Sequence, residues 1–463
     1  MTPPLSLRAT PEAVVLALAV PALALHRDYS PGLSLHAAGT ILSIELGDIA
    51  MLAVAIASVT AVRRLGAGPL RGAWTVLVPA GVLWTLVLLA ALAGRILTDG
   101  YPTADKLVSA AKFVEYGLLV LAVPLIVRRT DDAVVIVGSV LATGVAATTS
   151  AVLQLFGLLP NLDNTPAGRR MPSFAGYHDF ATLSGLTLAL ALGAIVLGHP
   201  RSLRPAVWIA AVSGTAGAII GGALSTVIAL LLGIVFAASA MLVRRTATRT
   251  RAAALVAVAA ALLAGSAAMR SGDIADFVGF LGSEPETSAT GVQTYSQRTV
   301  LSYIGIRIFL DHPLVGVGWQ ASELPVNFER YVADVRRRFP EVSDEAIPSA
   351  EHPWGVQNAY VQAAADMGIA GLLVTVWLAL AAVARAGRAT FSPSTRSSQL
   401  ALSVTVAMLV CAFEWAALGL VAGAPATAFL WLALGASIAV AVPGERHRPT
   451  DRAGAALPVS MIP

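Results

Sequence analysis

Residues 311–320 read DHPLVGVGWQ, and residues 351–372 read EHPWGVQNAYVQAAADMGIAGL. The first stretch lies inside the one long polar part of a chain that is otherwise apolar, and the second runs from that part directly into an apolar run. Pro313, Gly316 and Gly318 predict a turn in the first stretch. The side of a membrane on which this polar part lies decides what chemistry it can carry out.

The composition is that of an integral membrane protein. Of the 463 residues, 56% are hydrophobic and 13% are charged, and the mean hydropathy is +0.75, whereas roughly a quarter of the residues in soluble proteins are charged. The net charge of +4 is explained by the arginines of short loops, so membrane lipids are expected partners and nucleic acid is not. Cys411 is the single cysteine and forms no intramolecular disulfide.

Apolar runs predict about twelve transmembrane helices, because a helix needs about 20 apolar residues to cross the hydrocarbon layer. The runs lie near 12–26, 40–62, 73–94, 108–127, 133–158, 180–198, 205–221, 223–243, 252–269, 358–384, 399–420 and 424–443. This predicts an all-α fold with spans 1–9 in residues 1–269, a large loop over 270–357, spans 10–12 in residues 358–443, and a cytoplasmic tail over 444–463.

The arginines predict the orientation of these spans. Short basic segments alternate with short neutral ones, which places both termini in the cytoplasm. The two longest outer segments are then 159–179 and 270–357. We therefore predict a multi-pass protein of the cytoplasmic (inner) membrane whose active site faces outward. Chemistry on that side has no access to ATP or nucleotide sugars, so its substrate must arrive already activated.

The large outer loop is predicted to be partly helical. Apolar residues recur at helical spacing after Ser322, which is a plausible N-cap: Leu324, Phe328, Tyr331, Val335 and Phe339. With Arg336 to Arg338 on the other face, this pattern is typical of an amphipathic helix that rests on the membrane surface. An earlier helix carries Arg298 and Arg307 and should end near Asp311.

Residues 298–372 resemble the O-antigen ligase and O-antigen polymerase superfamily. The resemblance lies in Arg298 followed by an apolar helix, then DHPLVGVGWQ, then QNAYVQAAADMGIAGLL at the start of the next span. It implies a GT-C-like fold and a metal-independent glycosyltransferase without a cofactor. Such an enzyme moves a glycan from a polyprenyl diphosphate carrier to an acceptor hydroxyl of a glycan or lipid-linked glycan, outside the membrane. Glycan polymerase is the sister activity.

The chain departs from the family pattern at two places. The family has His before Asn at the start of the tenth span, whereas this chain has Gln357 before Asn358. Because glutamine cannot act as a base, His352 is the nearest titratable replacement, and Gln357 and Asn358 would position the acceptor. The family often has Ser-Arg at the start of the eighth span, where this chain has Ser225 and Thr226.

Arginines are the expected ligands of the donor diphosphate, since a guanidinium can contact phosphate oxygens in pairs. Arg298 matches the family's loop position, and Arg307 follows nine residues later. Arg169 and Arg170 are basic residues on the predicted outer side and so break the positive-inside rule. We predict that these four arginines include the diphosphate-binding residues, with Arg298 also serving catalysis.

Other polar residues near the spans are candidates for smaller roles. Tyr177 and His178 could line the acceptor site. Lys112 and Glu115 are spaced to pair on one helix face, and Glu414 stands in an apolar run with no partner visible in the sequence. No Asp-x-Asp, His pair or cysteine cluster predicts a metal site.

Two other functions stay open. A metal-dependent GT-C transferase that uses polyprenyl monophosphate sugars would place an acidic base in the first outer loop, where Asp28 is the one carboxylate. A lipid-linked glycan transporter would have broken helices repeated between two halves, yet Pro21, Pro79 and Pro124 form no such repeat.

Overall fold

The computed structural model describes residues 8–37, 40–160, 170–199, 201–272, 294–392, 398–421 and 423–441. Its elements in chain order are α1 (Pro11–Leu23), β1 (Gly32–Ala37), β2 (Thr40–Glu45), α2 (Leu46–Leu65), α3 (Trp74–Leu97), α4 (Thr103–Gly117), α5 (Leu119–Ile126), α6 (Thr130–Leu155), α7 (Tyr177–Leu197), α8 (Arg204–Gly221), α9 (Leu224–Val243), α10 (Arg249–Met269), α11 (Thr294–Asp311), α12 (Pro325–Arg338), α13 (Ala359–Phe391), α14 (Ser398–Trp415) and α15 (Pro425–Ala439). The described part of the chain is mainly helical, as predicted, and contains one short two-stranded hairpin.

Ten helical segments in the described residues are long and apolar enough to cross a membrane. They correspond to ten of the twelve predicted runs, including the one over Arg201–Gly221. The remaining two runs form shorter apolar helices, α1 with 13 residues and α15 with 15. At 1.5 Å per residue these two are too short to span the hydrocarbon layer unaided.

The second predicted run is not helical from its start. Residues 32–37 and 40–45 form an antiparallel hairpin in which Gly32 pairs with Glu45, and α2 begins only at Leu46. From Leu42 to Glu45, apolar and polar residues alternate as they do in a strand. The hairpin therefore takes six residues away from the predicted helix.

Helix α7 is the centre of the bundle. It is the most buried of the ten spans and packs against α6, α8, α9 and α14. Small residues allow the close approach: a Cβ on Gly214 of α8 would lie 2.6 Å from the backbone nitrogen of Leu188 of α7. Close contact of this kind is how membrane helices associate when lipid is as apolar as their side chains. The first turn of α7 is thereby held in a fixed position.

The basic segments predicted to be cytoplasmic meet at one end of the bundle. Arg64 pairs with Glu12 at 2.8 Å, Arg385 donates to the Gly72 carbonyl at 2.9 Å, and Arg244 donates to the Thr390 carbonyl through Nε at 3.1 Å. These contacts join the predicted inner ends of α1, α2, α9 and α13. The arrangement agrees with the alternation from which the orientation was predicted.

The predicted pair of Lys112 and Glu115 is wrong. Lys112 Nζ lies 2.9 Å from Asp48 Oδ2, on helix α2. Asp48 is nearly buried and its Oδ2 also accepts a hydrogen bond from the backbone nitrogen of Glu45 at 2.8 Å. Lys112 therefore ties α4 to the start of α2 instead of stabilising its own helix.

Helices α11 and α12 build a second, smaller hydrophobic core. The apolar face of α12, with Phe328, Tyr331 and Val335, is buried against Ile304 and Ile308 of α11. The prediction that this face rests on the membrane surface is therefore wrong, because protein covers it. Arg336 to Arg338 are exposed, as predicted.

Two details of this core differ from or extend the prediction. Helix α12 begins at Pro325 with Leu324 as its N-cap, and Ser322 belongs to a separate short turn, so the predicted cap is wrong. The Tyr331 hydroxyl donates to Asp311 at 2.6 Å, and burial raises the pKa of Tyr331 to about 12. This bond fixes α12 to the end of α11, which stops at Asp311 as predicted.

The turn over residues 313–318, named here the docking turn, binds a break in α13. Gly368 has φ +68° inside the helix. Val317 and Gly318 donate their N–H groups to the carbonyls of Ala365 and Asp366, both at 3.0 Å, and Ile369 donates to Pro313 at 2.8 Å. Backbone groups freed by the break are thus satisfied by the docking turn, as burial requires.

The side chain of Asp366 extends this attachment. It is fully buried and accepts hydrogen bonds from the backbone nitrogens of Gln320 at 2.9 Å and Ser322 at 3.1 Å. Gln362 donates to it as well, at 3.1 Å. The two stretches with which the sequence was introduced therefore bind each other, and they attach α11 and α12 to the transmembrane bundle.

Candidate functional site

The candidate site forms where the first turn of α7 meets α11 and α14. The chain enters α7 through residues 170–176, which are anchored in the bundle: Ser173 donates through Oγ to the Ala147 carbonyl at 2.7 Å and through its backbone nitrogen to Gln154 at 2.9 Å. Gly176 has φ +94°, and a Cβ there would lie 2.8 Å from the His26 ring. This turn directs the second residue of α7, His178, into the bundle.

His178 lies between an arginine and a glutamate. Its Nε2 is 2.7 Å from Arg298 Nη2, and its Nδ1 is 3.7 Å from Glu414 Oε2. The side chains of both His178 and Glu414 are largely removed from solvent, with 18% and 3% exposure. Three parts of the chain separated by more than a hundred residues thus meet at one imidazole ring.

Glu414 is held from its other side by two hydroxyls. Ser225 donates to Oε1 at 2.6 Å, and Thr226 donates to the same oxygen at 2.5 Å. The carboxylate lies near the end of α14 and the hydroxyls lie in the first turn of α9. Ser225 and Thr226, which stand where the family often has Ser-Arg, therefore serve as hydrogen-bond donors to an acidic group.

Arg298 is oriented by a second partner. Its Nε donates to Gln357 Oε1 at 3.2 Å, just before α13 begins. Gln357 is the residue at the position where the family has its histidine. The structure thus brings Arg298, Gln357 and His178 together. We name His178, Arg298, Gln357 and Glu414 the His178 cluster.

Arg170 lies next to this cluster. Its guanidinium is 5.9 Å from the centre of the Tyr177 ring, and Nη2 donates to the Gly222 carbonyl at 3.2 Å. Arg270 donates to the same carbonyl. Gly222 ends α8 with φ +63°, so the negative end of that helix dipole faces two guanidinium groups.

A cavity of about 330 Å³ opens beside the His178 cluster. It is lined in part by Tyr29, Tyr177, His178, Glu414 and Trp415. Its volume is within the lower range of small-molecule sites. Asp179 also borders it, but its Oδ1 accepts a hydrogen bond from the Ala426 nitrogen and so caps the start of α15.

Other predicted site residues lie elsewhere. His352 is exposed in a turn, where its backbone bonds to Ser349 and its ring stacks on Trp354 with centroids 6.4 Å apart. Asn358 caps α13, since its Oδ1 accepts from the backbone nitrogens of Tyr360 and Val361, both at 3.1 Å.

Arg307 and Arg169 are the remaining predicted ligands of the diphosphate. Arg307 Nε lies 3.8 Å from Asp334 Oδ2 on α12. A hydrogen bond from Tyr303, together with the charge of Arg307, lowers the pKa of Asp334 below its usual value. Arg307 is thus held in an ion pair on the outside of the second core. Arg169 lies outside the described residues.

Sequence reasoning did not find the partnership of His178 with Glu414, nor Arg270. One signal was present: Glu414 is a lone carboxylate in an apolar run, and an ionisable residue in such a place needs a partner. Its partners lie 188, 189 and 236 residues away, at Thr226, Ser225 and His178. In the described residues, no group of three or more His, Cys, Asp or Glu side chains is arranged to hold a metal ion.

Residues 209–376 match the model of the O-antigen ligase family. The match runs from α8 into α13 and contains Ser225, Arg298, His352 and Gln357, whereas Arg170, His178 and Glu414 lie outside it. It confirms the resemblance to the O-antigen ligase and polymerase superfamily. No curated protein matches the chain.

Proposed function

We propose that this protein is an O-antigen-ligase-like glycosyltransferase. It moves a glycan from a polyprenyl diphosphate carrier to an acceptor hydroxyl on the outer face of the cytoplasmic membrane, by a single displacement that inverts the anomeric configuration. The family match over residues 209–376 and the apolar helices support a membrane enzyme that acts on lipid-linked glycans. Ligase and polymerase share this reaction and differ in the acceptor.

The observation that carries the proposal is the meeting of arginines at the start of α7. Arg298 contacts His178, and Arg170 lies over the ring of the preceding residue, Tyr177. A diphosphate that leaves an anomeric carbon carries growing negative charge, and guanidinium groups stabilise it through paired hydrogen bonds. Donors fixed in place before the reaction are the most effective, because they need not reorganise as the charge develops.

The orientation in the membrane is supported by the basic ends of α2, α9 and α13, which lie at the end of the bundle predicted to face the cytoplasm. The native Cys411 is buried, so Cys411→Ser gives a background for single-cysteine labelling. In intact cells, a membrane-impermeant maleimide is expected to label Ser343→Cys, in the segment between α12 and α13. Ala247→Cys, between α9 and α10, should react only after lysis. The reverse pattern would contradict the proposed side of the active site.

The reaction is tested with the purified protein in liposomes. A donor oligosaccharide on polyprenyl diphosphate should be consumed with release of polyprenyl diphosphate, and the same glycan on polyprenyl monophosphate should not be used. Turnover should persist in EDTA, since the proposed leaving-group stabilisation comes from arginines. Consumption of the monophosphate donor alone would favour the GT-C alternative. Growth of the lipid-linked chain would identify a polymerase, and transfer to a foreign acceptor would identify a ligase.

A further inference from the structure

We propose that His178 is the general base of this reaction and that Glu414 is its positioning residue. The pair takes the role that the family gives to the histidine at the position of Gln357, and His352 does not. The inference rests on the proposed function. It gives His178 a different role from the acceptor binding that the sequence predicts. The base lies at the start of α7 instead of the start of α13.

The contacts of His178 define which of its nitrogens carries a proton. A guanidinium has N–H donors and no acceptor. Because Arg298 Nη2 lies 2.7 Å from Nε2, that nitrogen presents a lone pair. The proton of the neutral ring is then on Nδ1, which faces Glu414 Oε2 at 3.7 Å. The neutral ring is the form that a general base requires, and its Nε2 lone pair becomes available once Arg298 donates to the diphosphate instead.

Glu414 is placed to keep the ring in this form. Its Oε1 accepts hydrogen bonds from Ser225 and Thr226, which leaves Oε2 directed at Nδ1. Nδ1 and Oε2 face each other at 3.7 Å, beyond hydrogen-bond distance, and in the described residues neither atom has a hydrogen bond. The negative charge of a carboxylate at this distance favours the tautomer with the proton on Nδ1 and stabilises the imidazolium that forms when the ring takes a proton.

The acceptor and the donor diphosphate would reach His178 from different sides. The cavity lined by Tyr29, Tyr177 and Trp415 reaches His178 from one side, and aromatic rings of this kind suit the apolar faces of a sugar. Arg298 approaches from Nε2. An acceptor sugar in the cavity and a diphosphate on the arginines would therefore meet at the imidazole.

His352 lacks these features. It is exposed, it stacks on Trp354, and its backbone closes a turn with Ser349. Its described contacts include no carboxylate that would orient the ring. The replacement of the family's histidine by Gln357 then needs no catalytic role for His352. Gln357 orients Arg298, and His178 supplies the basic group.

The step is a direct displacement. The acceptor oxygen forms a bond to the anomeric carbon as the bond from that carbon to the diphosphate oxygen breaks. When the donor binds, Arg298 turns its N–H group from Nε2 to the diphosphate, which frees the Nε2 lone pair. The hydroxyl proton then passes to His178 Nε2, and Glu414 stabilises the resulting imidazolium. The electron pair of the broken bond leaves with the diphosphate, whose charge is stabilised by Arg298 and Arg170. The ring returns its proton to water after release of the products.

The test compares His178→Gln with His352→Ala in the liposome assay. We expect His178→Gln to lower kcat by roughly 10²–10⁴-fold, the usual contribution of a placed base. Its Kd for a non-transferable polyprenyl diphosphate should change by less than about threefold, since the arginines remain. In His352→Ala, both kcat and this Kd should stay within about threefold of their wild-type values. The melting temperature of each variant controls for folding.

Two further measurements separate a base from a structural residue. Added imidazole should restore part of the turnover of His178→Ala and should not affect His352→Ala. Glu414→Gln should lower kcat without a change in KM and without imidazole rescue, and Glu414→Asp should recover part of the loss at an unchanged melting temperature. The wild-type rate should fall at acid pH with a one-proton slope that His178→Gln abolishes.

The outcomes distinguish this inference from the proposed function. If wild type does not use the diphosphate donor, the proposed function fails. If wild type turns over and His178→Gln is equally active, or if imidazole rescues only His352→Ala, the assignment of the base is overturned and the proposed function stands. A loss in His178→Gln that is matched by an equal loss of donor affinity would also overturn it, because His178 would then act by holding Arg298.

Discussion

Replacing Arg298 by alanine is expected to lower the turnover of glycan transfer by roughly 10²–10³-fold, the usual effect of removing one fixed donor to a developing negative charge. Arg298 is held from two sides, by Gln357 and His178, so its guanidinium is oriented before the substrate arrives. Arg298→Lys should also be impaired, because an ammonium group cannot reproduce paired contacts to phosphate oxygens. The measurement is kcat with a defined lipid-linked donor in liposomes.

Arg307→Ala is the matched control for this prediction. It lies nine residues later on the same helix, α11, and pairs with Asp334 at 3.8 Å on the outside of the second core. Because Arg307 is 43% exposed and away from the His178 cluster, kcat should stay within about threefold, as is usual for surface substitutions. Equal losses in the two variants would show that general positive charge, and not the geometry of Arg298, drives transfer.

Replacing Gly316 or Gly368 by alanine is expected to destabilise the protein by about 2–5 kcal/mol. Both have positive φ, which costs an L-residue about 1–3 kcal/mol. A Cβ on Gly316 would lie 2.3 Å from the carbonyl carbon of Asp366, and one on Gly368 would lie 2.3 Å from the Leu314 carbonyl oxygen. Because each added Cβ would clash with backbone atoms of the facing segment, the docking turn must separate from α13 in these variants. Thermal unfolding in detergent measures the change.

Gly138→Ala provides the control for the glycine variants. Gly138 lies in α6, and a Cβ there would meet no atom within 4 Å. Alanine in a helix interior is favoured over glycine by roughly 0.5–1 kcal/mol, so the melting temperature should stay the same or rise slightly. If Gly316→Ala and Gly368→Ala melt like Gly138→Ala, the docking turn does not hold the second core against the bundle.

The transmembrane helices could be predicted from the sequence because their signal is local. The length of an apolar run can be counted directly in the sequence, and ten of the predicted runs form helices of spanning length. The end of α11 at Asp311 was predictable for the same reason, since Pro313 and the following glycines stop the helix within a few residues. The hairpin of residues 32–37 and 40–45 was missed because its second strand, with Ile41, Leu42 and Ile44, continues into an apolar helix without a break.

Partners could not be predicted where they come from distant parts of the chain. Lys112 has a carboxylate three residues away, yet it pairs with Asp48, 64 residues earlier, because β2, the strand just before α2, lies against α4. The apolar face of α12 looked like a membrane-binding surface because nothing in its own sequence shows that α11 covers it. For the site, the contact between Arg298 and His178, which lie 120 residues apart, could not be predicted.

The break at Gly368 makes α13 two rods instead of one. The longer rod, residues 369–391, is about 34 Å long at 1.5 Å per residue and can cross the hydrocarbon layer by itself. A change in bilayer thickness tilts such a rod, and the docking turn resists this tilt because Ile369, the first residue of the rod, donates to the Pro313 carbonyl at 2.8 Å. The short rod, residues 359–367, stays bonded to the docking turn. The angle between the two rods is therefore fixed by the docking turn as well as by the backbone of Gly368.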